Sequence, residues 1–225
     1  MNKDPLFRKR VILCVAGVVL SGAAVSFFKS AIFGVDPFQA LMSGLDALIP
    51  IRYGTLYVIV NAVLLLFSLA FDRTRIGLGT LINLFLLGYI VQFGVDLLAA
   101  AVPSPSMAVR VMYLLTGVLV ACAAGSMYFT ADMGVSTYDA IALIITGTWK
   151  KGKFRYVRMI TDFTCVALGV VLFLLSGADR NGLFAVIGAG TIISAFMMGP
   201  VIDWFNIHVF GPMLGKKSTA DLKTE

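Results

Sequence analysis

Eight apolar stretches alternate with short polar breaks along the chain, at roughly 11–29, 37–49, 54–71, 76–101, 110–130, 136–149, 156–176 and 183–210. Six of them reach the ~18 residues that a membrane-spanning helix needs. The other two, 37–49 and 136–149, are shorter, carry charges and hold corresponding places in the two halves. The pattern predicts an all-α membrane protein, a single polytopic domain over residues 1–225. Each half reads as long helix, short helix, long helix, long helix.

The halves read as copies of one unit, about 10–101 and 110–210. At an offset of 100, residues 10–40 align with 110–140 without a gap, and eleven of those 31 positions are identical, among them Arg10/Arg110, Gly17/Gly117, Ser26/Ser126, Gly34/Gly134 and Ala40/Ala140. The pattern G-x-G-T-x4-F-x-x-G occurs at Gly77, Gly79, Thr80, Phe85 and Gly88. It returns at Gly188, Gly190, Thr191, Phe196 and Gly199, and Asp72-Arg73 matches Asp179-Arg180. Apolar composition does not readily produce ordered matches of Gly, Thr, Asp and Arg.

Such a tandem repeat admits six to eight membrane segments. If the short helices span, there are eight crossings and the units are parallel; if they are re-entrant, there are six and the units are inverted. Either arrangement places 14 of the 18 basic residues on the cytoplasmic side, together with both termini. Parallel units keep Arg10 and Arg110 on one side and put Arg52 and the Lys150–Arg158 cluster in equivalent loops. The eight-segment parallel arrangement is therefore the favoured expectation.

Composition sharpens the picture. Hydrophobic residues make up 59% of the chain and charged residues 13%, with a mean hydropathy of +0.93, where a soluble domain is about a quarter charged. The net charge of +6 lies in short stretches flanking apolar runs, Arg8-Lys9-Arg10 above all. That placement points to helix ends at a membrane surface and away from nucleic acid. The basic start followed by an apolar run has the look of a signal peptide, but the same segment recurs internally, which argues against cleavage. Cys14, Cys122 and Cys165 sit inside apolar runs as packing residues, and His208 is the only histidine. No metal, no cofactor and no Ser-His-Asp, G-x-S-x-G or H-E-x-x-H catalytic set is expected.

Chemistry concentrates at the short helices. Asp36 is a good N-cap with Pro37 at the first helical position, and Ser136 takes the cap of the second. Exposed N–H groups at such breaks either bind a polar ligand or are simply capped. Gln39, Ser43 and Asp46 follow i, i+4, i+7 spacing and share one face, and the second helix has Asp139 and Thr146 at matching places. Deeper polar residues are Asn61, Asn83, Gln92, Asp96, Asp162, Ser194 and Asp203. An intrahelical Arg158–Asp162 pair is expected from i, i+4 spacing. The embedded acids Asp46, Asp96, Asp139, Asp162 and Asp203 outnumber the one comparable cation, Lys29. Unpaired, they would line a cavity that prefers a cation or protons. The G-x-G-T pattern opens an apolar helix and reads as helix packing, as does the stripe Gly117, Ala121, Gly125.

Taken together, Gly34, Asp36, Pro37, Gly79, Thr80, Asn83 and Gly88, then Gly134, Asp139, Val157, Arg158, Gly190, Thr191, Gly199 and Pro200, resemble the YitT/YczE-type family of bacterial membrane proteins. The resemblance spans nearly the whole chain in order. It departs at Gln39, where an acid is expected, at Thr137, where proline is common, at Asp162, which replaces a glutamate, and at Asp96, one turn beyond the position of Gln92. It implies a bacterial cytoplasmic membrane protein and no particular substrate.

The expected function is that of a small transporter-like protein, not an enzyme. Its site would lie between the halves near Asp36, Gln39, Asp46, Ser136, Asp139 and Asp162, for a small-molecule or ion substrate, cationic or proton-coupled. A scaffold or regulatory protein assisting a partner is the alternative. The other expected partners are the lipid bilayer and, left open, a second copy of the chain.

Overall fold

The fold was obtained as a computed structural model, which describes residues 5–152, 154–178 and 182–214. Asp179 and Arg180 lie outside the described residues, as do the side chains of Ser194, Phe196 and Asp203. Among the described residues there are helices and no strands.

The helices are α1 (Pro5–Ala31), α2 (Pro37–Leu48), α3 (Tyr53–Phe71), α4 (Leu78–Ala101), α5 (Met107–Ala131), α6 (Thr137–Leu143), α7 (Phe154–Leu175), α8 (Leu183–Val186) and α9 (Ala189–Phe205). A 3₁₀ turn, Arg73–Arg75, precedes α4, and a π-helical turn, Ile144–Thr148, prolongs α6. A second π-helical turn, Asn206–Phe210, carries α9 into the single turn α10 (Gly211–Met213). Five of these helices are long and apolar enough to cross a bilayer: Leu6–Ala31, Tyr53–Phe71, Leu78–Ala101, Met107–Ala131 and Tyr156–Leu175. Their outer faces leave Leu66, Phe85, Phe93, Leu119 and Phe163 exposed. In water such a surface is untenable; in lipid it is the expected one. The chain is a membrane protein embedded in a bilayer.

α1 and α5 pack against each other at the centre and run antiparallel. Gly17 abuts Ala124 and Tyr128, whereas Gly117 abuts Ala24, Phe27 and Phe28, so position rises on one helix as it falls on the other. α4 runs parallel to α1, with Gly79 on Cys14, Gly22 on Ile90 and Gly94 on Ser26. The parallel eight-crossing arrangement is therefore not the one formed. It requires Arg10 and Arg110 on one side, and the antiparallel pair puts them at opposite ends. The count of basic residues could not reveal this, because it is the same in both arrangements, and the placement of Arg10, Arg110 and Arg52 favoured the arrangement that does not form.

The close approach of α1 and α5 rests on small residues. Ala24, Ala31, Cys122, Ala124 and Ala131 are fully buried, and their short side chains let the backbones approach where no hydrophobic effect drives association. The small-residue stripe divides between two partners: Gly117 faces α1, and Gly125 faces Ile202 on α9.

Each long central helix ends with a left-handed residue, Ile32 (φ 58°) after α1 and Asp132 (φ 52°) after α5. Gly34 (φ 91°) and Gly134 (φ 106°) follow. Both glycines occupy backbone conformations that side chains disfavour, and both press on the start of a helix from the other half of the chain: Gly34 on Gly188 and Thr191, Gly134 on Gly77 and Thr80. The Gly190 N–H donates to the Phe33 carbonyl at 2.6 Å, and the Gly79 N–H to the Met133 carbonyl at 2.8 Å. Thr80 Oγ1 donates to the Val135 carbonyl at 2.6 Å and accepts from the Gly77 N–H at 3.2 Å. The two G-x-G-T segments thus serve as sockets for the break before each short helix, supplied in each case by the other half of the chain.

Candidate functional site

Both short helices start as their sequences dictate. Asp36 adopts an extended backbone and accepts from the Gln39 N–H at 3.1 Å. Ser136 does the same for Asp139, at 3.0 Å, and returns its hydroxyl proton to the Asp139 carboxylate at 2.6 Å. Each cap satisfies one of the free N–H groups that open a helix.

The first turns of α2 and α6 meet. The ring of Phe38 stacks on that of Tyr138 with centroids 5.0 Å apart. Phe38 also meets Tyr57 edge-on at 6.0 Å, and Phe38, Tyr57 and Tyr138 are all buried. At the back, α2 seats on α7 where Gly44 meets the backbone of Gly169. α6 lies against α3, and Thr137 donates to Asn61 there. Asn61 in turn donates to the Tyr57 carbonyl at 2.8 Å, and Tyr57 donates its hydroxyl proton to Asn83 at 3.1 Å.

Arg158, in the first turns of α7, organises the charge. It pairs with Asp139 of α6 and, through Nε, with Asp162 one turn along α7 at 3.1 Å. Its guanidinium lies 4.4 Å over the Tyr138 ring, and the Tyr138 hydroxyl donates to Asp162 at 2.6 Å. Asp36 lies within electrostatic reach of Arg158 and Asp162. Asp36, Ser136, Asp139 and Asp162 therefore converge around Tyr138 and Arg158, with all four charged or capping groups only partly buried. A planar guanidinium bridging two carboxylates in a region of low dielectric is held by geometry as well as charge.

The other sequence candidates separate from this cluster. Gln39 is buried and accepts from the Tyr53 hydroxyl. Ser43 and Asp46 face an open cavity further along α2, where Asp46 pairs with Lys29 at 3.7 Å. Gln92 caps the start of α3, accepting from the Gly54 N–H at 3.1 Å. Asp96 is exposed on α4 and takes no part.

Three of the acids that would line a cation-preferring cavity if unpaired are ion-paired. Asp139 and Asp162 share Arg158, and Asp46 has Lys29. A carboxylate in the membrane interior pairs with the nearest cation because burial of the lone charge costs too much. Sequence reasoning found the Arg158–Asp162 pair but not its link to Asp139, which joins residues 19 apart on different helices. It also missed Tyr138, Tyr53 and Tyr57. The spacing of Tyr53 and Tyr57, one turn apart on α3, was the available signal.

Comparison with known proteins finds uncharacterised relatives, one of them a membrane protein. A similar protein is YczE of Bacillus subtilis, an uncharacterised membrane protein, 26% identical over 189 residues that cover 83% of this chain and 80% of the relative. Another is an uncharacterised protein of Haemophilus influenzae, 26% identical over 133 residues, 59% of this chain and 54% of the relative, so the chain spans about half of that protein. No solved structure matches. A family profile described as a family of unknown function, DUF6198, matches residues 8–207, which takes in every helix from α1 to α9, and the chain belongs to that family.

Proposed function

We propose that this protein is a small membrane carrier whose substrate site lies where the first turns of α2 and α6 meet, lined by Asp36, Ser136, Tyr138, Asp139 and Asp162. The observation that carries the reading is that meeting: two short helices, each too short to span, start head to head at Phe38 and Tyr138 and run out towards opposite ends of an antiparallel pair. Carriers built from inverted repeats place their sites at such discontinuous helices, near the bilayer midplane. The Arg158 pairs are the groups a substrate would exchange with, since a charged ligand has to replace any partner it displaces.

In a bacterial cytoplasmic membrane, the end bearing Arg8, Lys9, Arg10, Arg73, Arg75, Lys150 and Lys151 would face the cytoplasm. Those residues belong to one end, because α1 and α4 start together and the Thr148 hydroxyl reaches across to Asp72 at 2.8 Å.

A second reading, a scaffold or regulator of a partner, draws support from the same ion pairs: a centre whose Asp139 and Asp162 already share Arg158 needs no ligand. Labelling separates the two. With Cys14, Cys122 and Cys165 replaced by Ala, Ser136→Cys in sealed vesicles of known orientation is treated with a membrane-impermeant thiol reagent from each side. A carrier exposes the position alternately and is labelled from both sides. Labelling from one side only, or from neither, sinks the carrier.

A further inference from the structure

The central cluster is not the only built feature. A cavity of about 240 Å³ opens beside α2, lined by Lys29 of α1, Ser43, Asp46 and Ala47 of α2, Phe173 of α7, and Gly182 and Val186 at α8. Its charges are arranged in an unusual way. The Lys29 ammonium sits 3.5 Å above the centre of the Tyr53 ring. It stands 3.7 Å from the Asp46 carboxylate, beyond the usual length of a charge-assisted hydrogen bond. Both heads keep access to the cavity, with side-chain exposures of 17% for Lys29 and 36% for Asp46. Behind them, Tyr53 donates its hydroxyl proton to Gln39, so the cavity wall is joined to the first turn of α2.

From this geometry we propose that the cavity is a binding site for a small zwitterion, a ligand carrying an ammonium and an anionic oxygen group a few atoms apart. The anionic group sits on the Lys29 ammonium and the ligand ammonium on Asp46. A lone anion on Lys29 would strip Asp46 of its partner, and a lone cation on Asp46 would strip Lys29; each leaves an uncompensated charge next to apolar walls. A zwitterion supplies a new partner to both at once. The pair opens to admit it at little cost, because the ligand replaces each partner as it leaves. Phe173 and Val186 form the apolar side, and the volume falls below the ~300 Å³ at which drug-sized sites begin. The ligand is therefore small, on the scale of an amino acid or a phosphoethanolamine group. This deepens the carrier reading by naming a ligand class, and rests on that reading only for onward passage past Tyr53 and Gln39.

The test is thermal unfolding of the full chain in non-ionic detergent, with glycine, β-alanine, O-phosphoethanolamine, acetate and methylamine as probes. A parallel set uses lipid nanodiscs with and without phosphatidylethanolamine. At about a hundredfold excess over the dissociation constant, a bound zwitterion raises the midpoint by roughly 5–10 °C. Acetate and methylamine give no comparable rise. A shift with soluble zwitterions identifies an aqueous ligand; a shift only with phosphatidylethanolamine identifies a lipid headgroup, and the zwitterion class stands in both. Ala47→Leu fills the cavity without touching either charge and abolishes the shift, as does Lys29→Gln; should Lys29→Gln not fold, Ala47→Leu decides. No shift with any zwitterion, an equal shift with acetate or methylamine, or an undiminished shift in Ala47→Leu overturns the site. Binding with one-sided Ser136→Cys labelling would keep this site and discard the carrier; two-sided labelling without binding would do the reverse.

Discussion

Phe38 and Tyr138 lie face to face, their centroids 5.0 Å apart and their planes 22° from parallel. They are the second residues of α2 and α6, at matching places in the aligned stretches 10–40 and 110–140. Their contact therefore fixes where two short helices from different halves begin. Removing one ring tests it: Phe38→Ala should destabilise the protein by about 3–5 kcal/mol, as for other buried aromatic truncations. A double-mutant cycle with Tyr138→Ala should show a coupling of about 0.5–1.5 kcal/mol beyond the area lost. Reversible unfolding in mixed micelles supplies both numbers, and additivity would show that the rings do not interact.

Arg158 holds two carboxylates, so deleting it strands both. Arg158→Met should cost about 3–5 kcal/mol, whereas the combined variant Arg158→Met, Asp139→Asn, Asp162→Asn should recover most of that loss. Unfolding midpoints of the single and triple variants check this. A triple variant as unstable as Arg158→Met would mean that the charges act independently.

Helix direction is open to cross-linking. In a background without native cysteines, Phe27→Cys with Gly117→Cys should form a disulfide on oxidation, because a Cβ at 117 lies 3.3 Å from that of Phe27. Gly17→Cys with Gly117→Cys should not, since these positions are far apart along an antiparallel pair. The reverse pattern on a denaturing gel would indicate parallel packing.

The positive-φ glycines differ in their surroundings. A Cβ at Gly34 would lie 2.3 Å from the Gly188 nitrogen, while a Cβ at Gly177 (φ 72°) meets nothing within 4 Å. Gly177→Ala should therefore cost only backbone strain, about 1 kcal/mol, and remain folded. Gly34→Ala and Gly134→Ala should each sharply reduce the yield of folded, monodisperse protein. Comparable yields for all three would remove the packing argument.

Acid should loosen the end that carries Asp72. Hydrogen bonds from Thr74 and Thr148 hold its carboxyl down to about 2, against about 3.9 in an unfolded chain. A depressed carboxylate contributes stability that is complete above the unfolded value and disappears as pH falls through the folded one. The loss should fall between about pH 4 and pH 2, and Asp72→Asn should flatten the pH profile of unfolding in that window. An unchanged profile would show that neither threonine holds the carboxylate down.

What could be read in advance follows from how local each signal is. Asp36-Pro37 and Ser136 announce the starts of α2 and α6 because a cap acts within three residues. The spanning helices are equally plain, since lipid demands continuous apolar runs. The antiparallel pairing of α1 and α5 is set by small residues meeting across the interface, and their spacing suits either direction. Tyr138, Arg158 and Asp139 form one group only after α6 and α7 have packed, and nothing in the spacing of Asp139 and Arg158 requires that they meet.

The sockets that Gly79 and Gly190 offer to the opposite half carry a consequence for biogenesis. When α4 emerges from the ribosome, the carbonyls of Met133 and Val135 that its first turn will bind have not been made. The first four helices thus enter the bilayer with that turn unsealed, and α2 likewise lacks α7, its main support. The nascent first half must wait in the membrane, incompletely assembled, until the second is synthesised. Two halves translated as separate polypeptides should accordingly be degraded when made alone and rescue one another when made together.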